Sequence, residues 1–127
     1  MTDFKQGDSL PELRVTPDAG LTKRYAEASG DPNPIHTDPE FAKSVGLPGV
    51  ILHGLYSMAQ VARACTTAAG GDPRSLRRLS VQFRGMGLPE QEIVVTGAAN
   101  DQGVVELEAV QGDNKIIKNA EAELATA

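Results

Sequence analysis

The hydrophobic period of the chain changes once, near Gly70, and that single change constrains the fold more than any other feature. Upstream of it, Leu55, Met58, Ala59, Ala62, Cys65 or Thr66, and Ala69 fall on one helical face, with Tyr56, Gln60, Arg63 and Thr67 opposite. Gly70–Gly71–Asp72–Pro73 ends this helix, which begins at Gly54. Downstream the period is two. Leu79, Val81 and Phe83 alternate with Ser80, Gln82 and Arg84, and Ile93 to Thr96 is β-branched throughout. Val105, Leu107 and Ala109 alternate with Glu106 and Glu108; Ala120, Ala122 and Leu124 alternate with Asn119, Glu121 and Glu123. The turns Asn100–Gly103 and Gly112–Asn114 are short, so the strands they join run antiparallel. The economical arrangement is α+β: one long central helix packed against one curved antiparallel sheet. A sheet of this kind leaves edges, and pairing with a second copy would cover them, so at least a dimer is expected.

The residues before the helix read as a short strand, Leu13–Val15, and then irregular helical segments. Thr16 can cap a helix, Pro17 suits its first turn and Asp18 its positive end; Leu21, Tyr25 and Ala28 share a face, and Gly30 supplies the stop. Asp31 to Pro39 contains Pro32, Pro34 and Pro39 and cannot be regular helix. Asp38 can cap a short helix through Phe41 and Ala42, and Gly46, Pro48 and Gly49 make a further irregular connection.

At 127 residues, with no repeat, low-complexity tract or linker, the chain reads as one domain over 1–127. Twelve basic against seventeen acidic residues give a net charge of −5, which argues against a nucleic-acid surface. Arg74, Arg77, Arg78 and Arg84 could still meet a small phosphorylated ligand, or simply form a solvated strand face. Cys65 is the sole cysteine, so no internal disulfide or cysteine-rich metal site is expected; in an apolar helix it reads as a small core residue. The N-terminal MTDFKQGDSL lacks the apolar region of a secretory signal, and His53, Gln60 and Arg63 interrupt the most apolar stretch. A soluble, cytoplasmic protein is the default expectation.

The chemistry concentrates in Tyr25 to Met58. Asp31 and His36 stand five positions apart in the proline-stiffened loop, and His53–Gly54 leads into the long helix. An Asp/His pair can hold one water from two sides, with one group taking its proton and the other helping to deliver a proton to carbon, which is worth on the order of 10²–10⁴ in rate. Histidine changes charge near neutral pH, which suits this work. The free N–H of Gly54 at the helix start could stabilise an oxyanion, and glycine permits close approach. Tyr56 and Ser57 follow within a turn and, with Asn33, are the candidate substrate contacts; Asn33 could equally brace the loop through its side chain. His53 is expected to orient the turn or to pack at the helix start. A metal site from His36, Asp38 and His53 lacks a recognised ligand spacing, and none is expected.

The string SGDPNPIHTDPEFAKSVGLPGVILHG, Ser29 to Gly54, resembles the hydratase signature of the MaoC-like family, with Gly30–Asp31, Asn33–Pro34–Ile35–His36, Asp38, Phe41–Ala42 and His53–Gly54 in the family's order. The later SVQFRGMGLPEQEIVVTG resembles the family's strand after the central helix. The resemblance implies a hot-dog fold, catalytic Asp31 and His36, and Gly54 N–H as oxyanion donor. It implies reversible hydration of a trans-2-enoyl thioester to the (R)-3-hydroxyacyl thioester, with no metal or redox cofactor. Coenzyme A or acyl carrier protein is then part of the substrate, and the partner is a second copy or another hot-dog subunit near the site. Two positions depart from the family pattern. Ala62 and apolar neighbours occupy the stretch where some members carry a serine, and Met86 to Glu92 lacks the usual Gly-Asp of the corresponding turn. Hot-dog thioesterase chemistry and a non-catalytic thioester-binding subunit of a hetero-oligomer are the alternative readings.

Overall fold

The computed structural model describes residues 9–125. The polar N-terminal stretch considered above as a possible leader lies, up to residue 8, outside the described residues. In chain order the elements are β1 (Leu13–Val15), α1 (Leu21–Ser29), a 3-10 turn (Pro34–His36), α2 (Pro39–Ser44), α3 (Gly54–Ala68), a second 3-10 turn (Pro73–Ser75), β2 (Leu76–Phe83), β3 (Ile93–Ala99), β4 (Val105–Gln111) and β5 (Asn114–Leu124). The five strands form one antiparallel sheet in the order β1-β3-β4-β5-β2, and α3 lies across β2 to β5. This is the expected hot-dog arrangement of a sheet around one long helix. No helix of the described residues is long and apolar enough to cross a membrane.

The sheet owes its curvature to identifiable extra residues. Leu107 pairs with Ala120 but Ala109 with Ile117, so β5 carries one residue more than β4 across this interval. The same excess is seen from β2, where Ser80 faces Glu121 and Gln82 faces Lys118. Asn119 sits within it at φ 50, a left-handed conformation that asparagine tolerates better than most side chains. A second excess separates Ala109↔Ile117 from Val110↔Lys115, which explains why consecutive Ile116 and Ile117 are both buried. Such bulges bend a strand and increase its twist, and here they let the sheet close around α3.

The core unites Val61 and Cys65 of α3 with Ile93, Val95, Val105, Leu107, Ala109, Ile117 and Ala122 of the sheet. The alternations read in β4 and in the second half of β5 hold, with Val105, Leu107, Ala109, Ala120 and Ala122 inward. The expected face of α3 does not hold. Tyr56, Ser57, Gln60, Val61, Ala64 and Cys65 are buried, whereas Leu55 and Ala59 are exposed. Alanines on every side let several stripes satisfy a period of 3.6, and the bulk of Tyr56 and Val61 decides which one meets the sheet.

Two further expectations are corrected. α1 starts at Leu21, not at Pro17, because residues 16–20 form a pinned turn. There the Pro17 carbonyl accepts from Glu90 N–H at 2.6 Å, and the Asp18 carboxylate accepts from Gly20 N–H and from the Arg24 guanidinium. The buried face of α1 is Thr22 and Ala26 beside half-buried Leu21 and Tyr25, leaving Ala28 exposed. Asp38 does cap α2, accepting from Glu40 and Phe41 N–H, a contact typically worth about 1 kcal/mol.

The turn lacking the expected Gly-Asp closes with Glu90 at φ 68. A left-handed conformation costs a side-chain-bearing residue roughly 1–2 kcal/mol, partly offset by the greater unfolded-state freedom of glycine. Glu90→Gly should therefore raise stability by about 0.5–1 kcal/mol in urea unfolding. A lower midpoint would show that this backbone is not strained.

Candidate active site

Gly30 at φ 73 ends α1 and turns the chain into the loop that carries the acid/base pair. Asp31 Oδ1 accepts from Asn33 N–H at 3.3 Å, and Asn33 Oδ1 accepts from Ile35 N–H at 3.2 Å. Two successive side-chain turns, stiffened by Pro32 and Pro34, fix the path of the backbone. Asn33 thus braces the loop. The 3-10 turn then directs His36 inward, where it is buried. His36 Nδ1 lies 2.8 Å from the Ile51 carbonyl. A carbonyl only accepts, so Nδ1 carries the hydrogen, and Nε2 of the neutral ring is the basic nitrogen.

The segment before α3 completes the arrangement. Ile51 N–H donates to Ile35 O at 3.1 Å, and Leu52 N–H donates to Gly87 O at 2.8 Å. His53, 3 % exposed, stacks on His36 with ring centroids 3.8 Å apart and planes 19° apart, and Tyr25 packs against it at 4.6 Å. Burial lowers the His53 pKa below its usual 6.5 and His36 adds to this, while the carbonyl and carboxylate of Asp31 pull it back up. The Asp31 carbonyl is thus close enough to act as a hydrogen-bond acceptor toward His53, although it is poorly aligned with either ring nitrogen. Gly54 opens α3, and its N–H has no protein partner among the described residues. A Cβ at Gly54 would meet the Phe83 ring at 3.1 Å, so glycine is what the close approach of β2 permits.

A cavity of about 190 Å³ lies beside these groups, lined by His36, Gly54, Ser57, Phe83, Met86 and Ile116 among others. Its polar groups converge from the loop and the helix start, and its other walls are apolar. A larger concavity of about 610 Å³ occupies the sheet face turned from α3. That surface presents ion-paired charges, such as Lys115 with Glu108 at 3.1 Å, and no acid/base pair beside a free donor.

Ligating atoms of Asp31, His36 and His53 all lie within 4.8 Å of one another. An imidazole binds a metal through the lone pair in its ring plane, at about 2.0–2.1 Å for zinc. Because His36 and His53 are stacked, their in-plane lone pairs run side by side instead of converging on one point. The cluster suits proton transfer better than chelation. Asp38, the third member of the set considered from sequence, is committed to capping α2.

The structure brings together Asp31, His36, Gly54 and Ser57, with Asn33 bonded to Asp31, and turns Tyr56 elsewhere. Tyr56 turns into the core against Tyr25, and burial raises its phenol pKa while Arg63 pulls the other way. Arg74 and Arg78 are engaged by Asp72 and Glu123. Cys65 is fully buried, with its thiol pushed up to about 11 by desolvation, as suits a packing residue. The sequence reading missed the wall built by Gly85, Met86 and Gly87. The available signal was the Gly-x-Gly spacing directly after β2: a Cβ on Gly85 would lie 2.5 Å from Asn114 Oδ1, and one on Gly87 3.0 Å from Leu52 Cδ1.

The depressed pKa of His53 links stability to pH. Below about pH 6.5 the unfolded chain takes up this proton before the folded one does. The contribution is therefore full above that pH and is lost as pH falls toward the folded value. The melting temperature of the wild type should drop more steeply between about pH 7 and pH 5 than that of His53→Phe, which keeps an aromatic face and cannot titrate. Parallel slopes would show that burial does not depress this histidine.

Comparison with known proteins agrees with this geometry. Residues 6–120 match the MaoC like domain family. The chain is 38% identical over 97 residues to the fatty acid synthase beta subunit TOXC of Cochliobolus carbonum, covering 73% of this chain and 5% of that protein. It is 35% identical over 91 residues to the peroxisomal enoyl-CoA hydratase 2 of Arabidopsis thaliana, covering 71% of this chain and 28% of that one. It thus spans only a small part of either relative. The crystal structure of a MaoC-like dehydratase from Phytophthora capsici superposes with a TM-score of 0.86 at 29% identity, over 99% of this chain and 43% of that one. With the family match extending over nearly the whole chain and the structure agreeing, this protein belongs to the MaoC-like domain family.

Proposed function

We propose that the protein catalyses the reversible hydration of trans-2-enoyl thioesters to (R)-3-hydroxyacyl thioesters. The carrying observation is the convergence of Asp31 and His36 beside a cavity that also receives the unpartnered Gly54 N–H. Water held by Asp31 and His36 loses a proton to this pair as its oxygen bonds to C3. The C2–C3 π electrons move toward the thioester, and the enolate oxygen that forms is stabilised by Gly54 N–H at the positive end of α3. The proton is then delivered to C2. Dehydration is the same sequence reversed. Acid/base groups and a backbone donor suffice for these steps, so no metal or redox cofactor is invoked.

The cavity is smaller than the roughly 300 Å³ at the lower end of typical ligand pockets, so it suits the reacting end of a thioester with the remainder outside. Arg84, Lys115 and Lys118 line an open groove that shares Gly85 with the cavity. This groove fits the phosphates of coenzyme A or of a phosphopantetheine carrier. A second hot-dog subunit is the proposed partner along β2. That strand is a sheet edge, and exposed Phe83 and Met86 stand at its end beside the cavity.

The test is loss of the conjugated enoyl absorbance of a short trans-2-enoyl-CoA. Asp31→Asn and His36→Gln should each lower kcat by at least about 10²-fold while remaining folded. Wild-type rates in either folded variant would refute the assigned roles. Gly54→Pro removes the oxyanion donor at a helix position that accepts proline, and His53, at φ −65 and ψ 135, already has the backbone that precedes one. Gly54→Ala crowds Phe83 but keeps the N–H. Alanine should therefore retain far more turnover than proline, and equal losses would point to sterics instead of the donor.

A further inference from the structure

We propose that the Ser57 hydroxyl is a second oxyanion donor, joining Gly54 N–H on the thioester oxygen of the substrate. The inference rests on the hydration reading above and gives Ser57 a defined role within it. Ser57 is 4 % exposed and follows Gly54 by three positions in α3, and both residues line the cavity of about 190 Å³. Its hydroxyl makes no hydrogen bond among the described residues. Other hydroxyls of this chain turn back onto the backbone: those of Ser44, Thr66 and Ser75 each donate to the carbonyl three residues earlier, at 2.6, 3.3 and 2.6 Å. Ser57 makes no such bond, and the His53 carbonyl one turn before it already accepts from Tyr56 and Ser57 N–H. Buried polar groups are nearly always hydrogen-bonded, so a buried hydroxyl left free beside a cavity points to a partner that enters the cavity.

Helix geometry brings that hydroxyl to the same place as Gly54 N–H. Residues three apart share a helix face, and helical side chains lean toward the N-terminus, so Ser57 reaches back over the turn that Gly54 opens. The cavity has only two polar side chains in its lining, His36 and Ser57. His36 spends its N–H on the Ile51 carbonyl, and its unprotonated Nε2 cannot donate. Ser57 therefore holds the side-chain donor that remains there. A thioester oxygen seated against Gly54 N–H has a further lone pair to accept from Ser57 Oγ. Negative charge grows on this oxygen as water adds to C3. A donor aimed at it thus binds the enolate more strongly than the substrate, and it acts on kcat more than on KM.

Hydration of trans-2-butenoyl-CoA by the intact chain and its variants tests this. Ser57→Ala removes only the hydroxyl and leaves a residue that helices favour. It should lower kcat about 10- to 100-fold with KM changed less than about 3-fold, a smaller loss than that of a lone donor because Gly54 N–H remains. Ser57→Thr, which keeps a hydroxyl, should recover part of the loss. Wild-type kcat in folded Ser57→Ala overturns the proposal, and so does a loss carried by KM alone. A crystal structure of Asp31→Asn with trans-2-butenoyl-CoA should place the thioester oxygen about 2.6–3.2 Å from both Gly54 N and Ser57 Oγ. An oxygen on Gly54 N with Ser57 Oγ beyond about 3.5 Å also overturns it. No hydration by the wild type would remove the functional reading and this inference with it, whereas hydration that Ser57→Ala leaves unchanged removes this inference alone.

Discussion

Three hydrogen bonds around Ile51 and Leu52 hold the site together. Ile51 N–H donates to Ile35 O, His36 Nδ1–H donates to Ile51 O, and Leu52 N–H donates to Gly87 O. The first two tie the Asp31–His36 loop to the strand-like segment before α3. The third ties that segment to the β2–β3 connection. The loop, the helix start and the sheet wall are thereby held in one frame, although they are far apart in the chain. The second bond also has a chemical consequence: the Ile51 carbonyl dictates the His36 tautomer and leaves Nε2 as the unprotonated nitrogen.

The division of labour within the loop follows from residue type. Asp31 and Asn33 both make side-chain turns, but Asn33 gives its oxygen to Ile35 N–H, whereas Asp31 retains carboxylate capacity toward the imidazoles. Asp38 is likewise consumed as a cap. Acidic and amide groups that look equivalent in the string TDP or DPNP are therefore separated by which backbone N–H each one faces. The β2–β3 turn, which lacks the Gly-Asp of the family pattern, puts Glu90 in a left-handed backbone and bonds its N–H to Pro17 O.

Much of the architecture was legible because the two hydrophobic periods are distinct and the turns are short. The order of one short strand, irregular helical pieces, a long helix and four strands follows from those periods, as does antiparallel pairing. The face of α3 was not legible. Its alanines leave the stripe degenerate: Leu55 fits a core position by period alone, but Tyr56 and Val61 are the bulky residues that pack in the core. α1 starts later than its capping signals suggest because Asp18 makes a side-chain turn with Gly20 and pairs with Arg24, and because Pro17 O bonds across the chain to Glu90 N–H. The Asp18 turn is local, but the bond from Glu90 has no local signal.

The same contrast governs the site. Asp31, His36 and Gly54 are legible as candidates from residue type and spacing, since proline-stiffened loops and helix starts create their chemistry locally. Ser57 lines the cavity as a candidate contact, whereas Tyr56, one position away, is turned into the core. The apolar wall of Phe83, Met86 and Ile116, and the stacking of His53 on His36, arise only where β2, β5 and the loop meet. The sequence by itself determined which groups could do acid/base chemistry and the order of elements that carry them, because those depend on residue type and on neighbours a few positions away. Only the tertiary structure decided which of those groups share a cavity, which helix face is buried and which imidazoles stack, because those depend on contacts between segments distant in the chain.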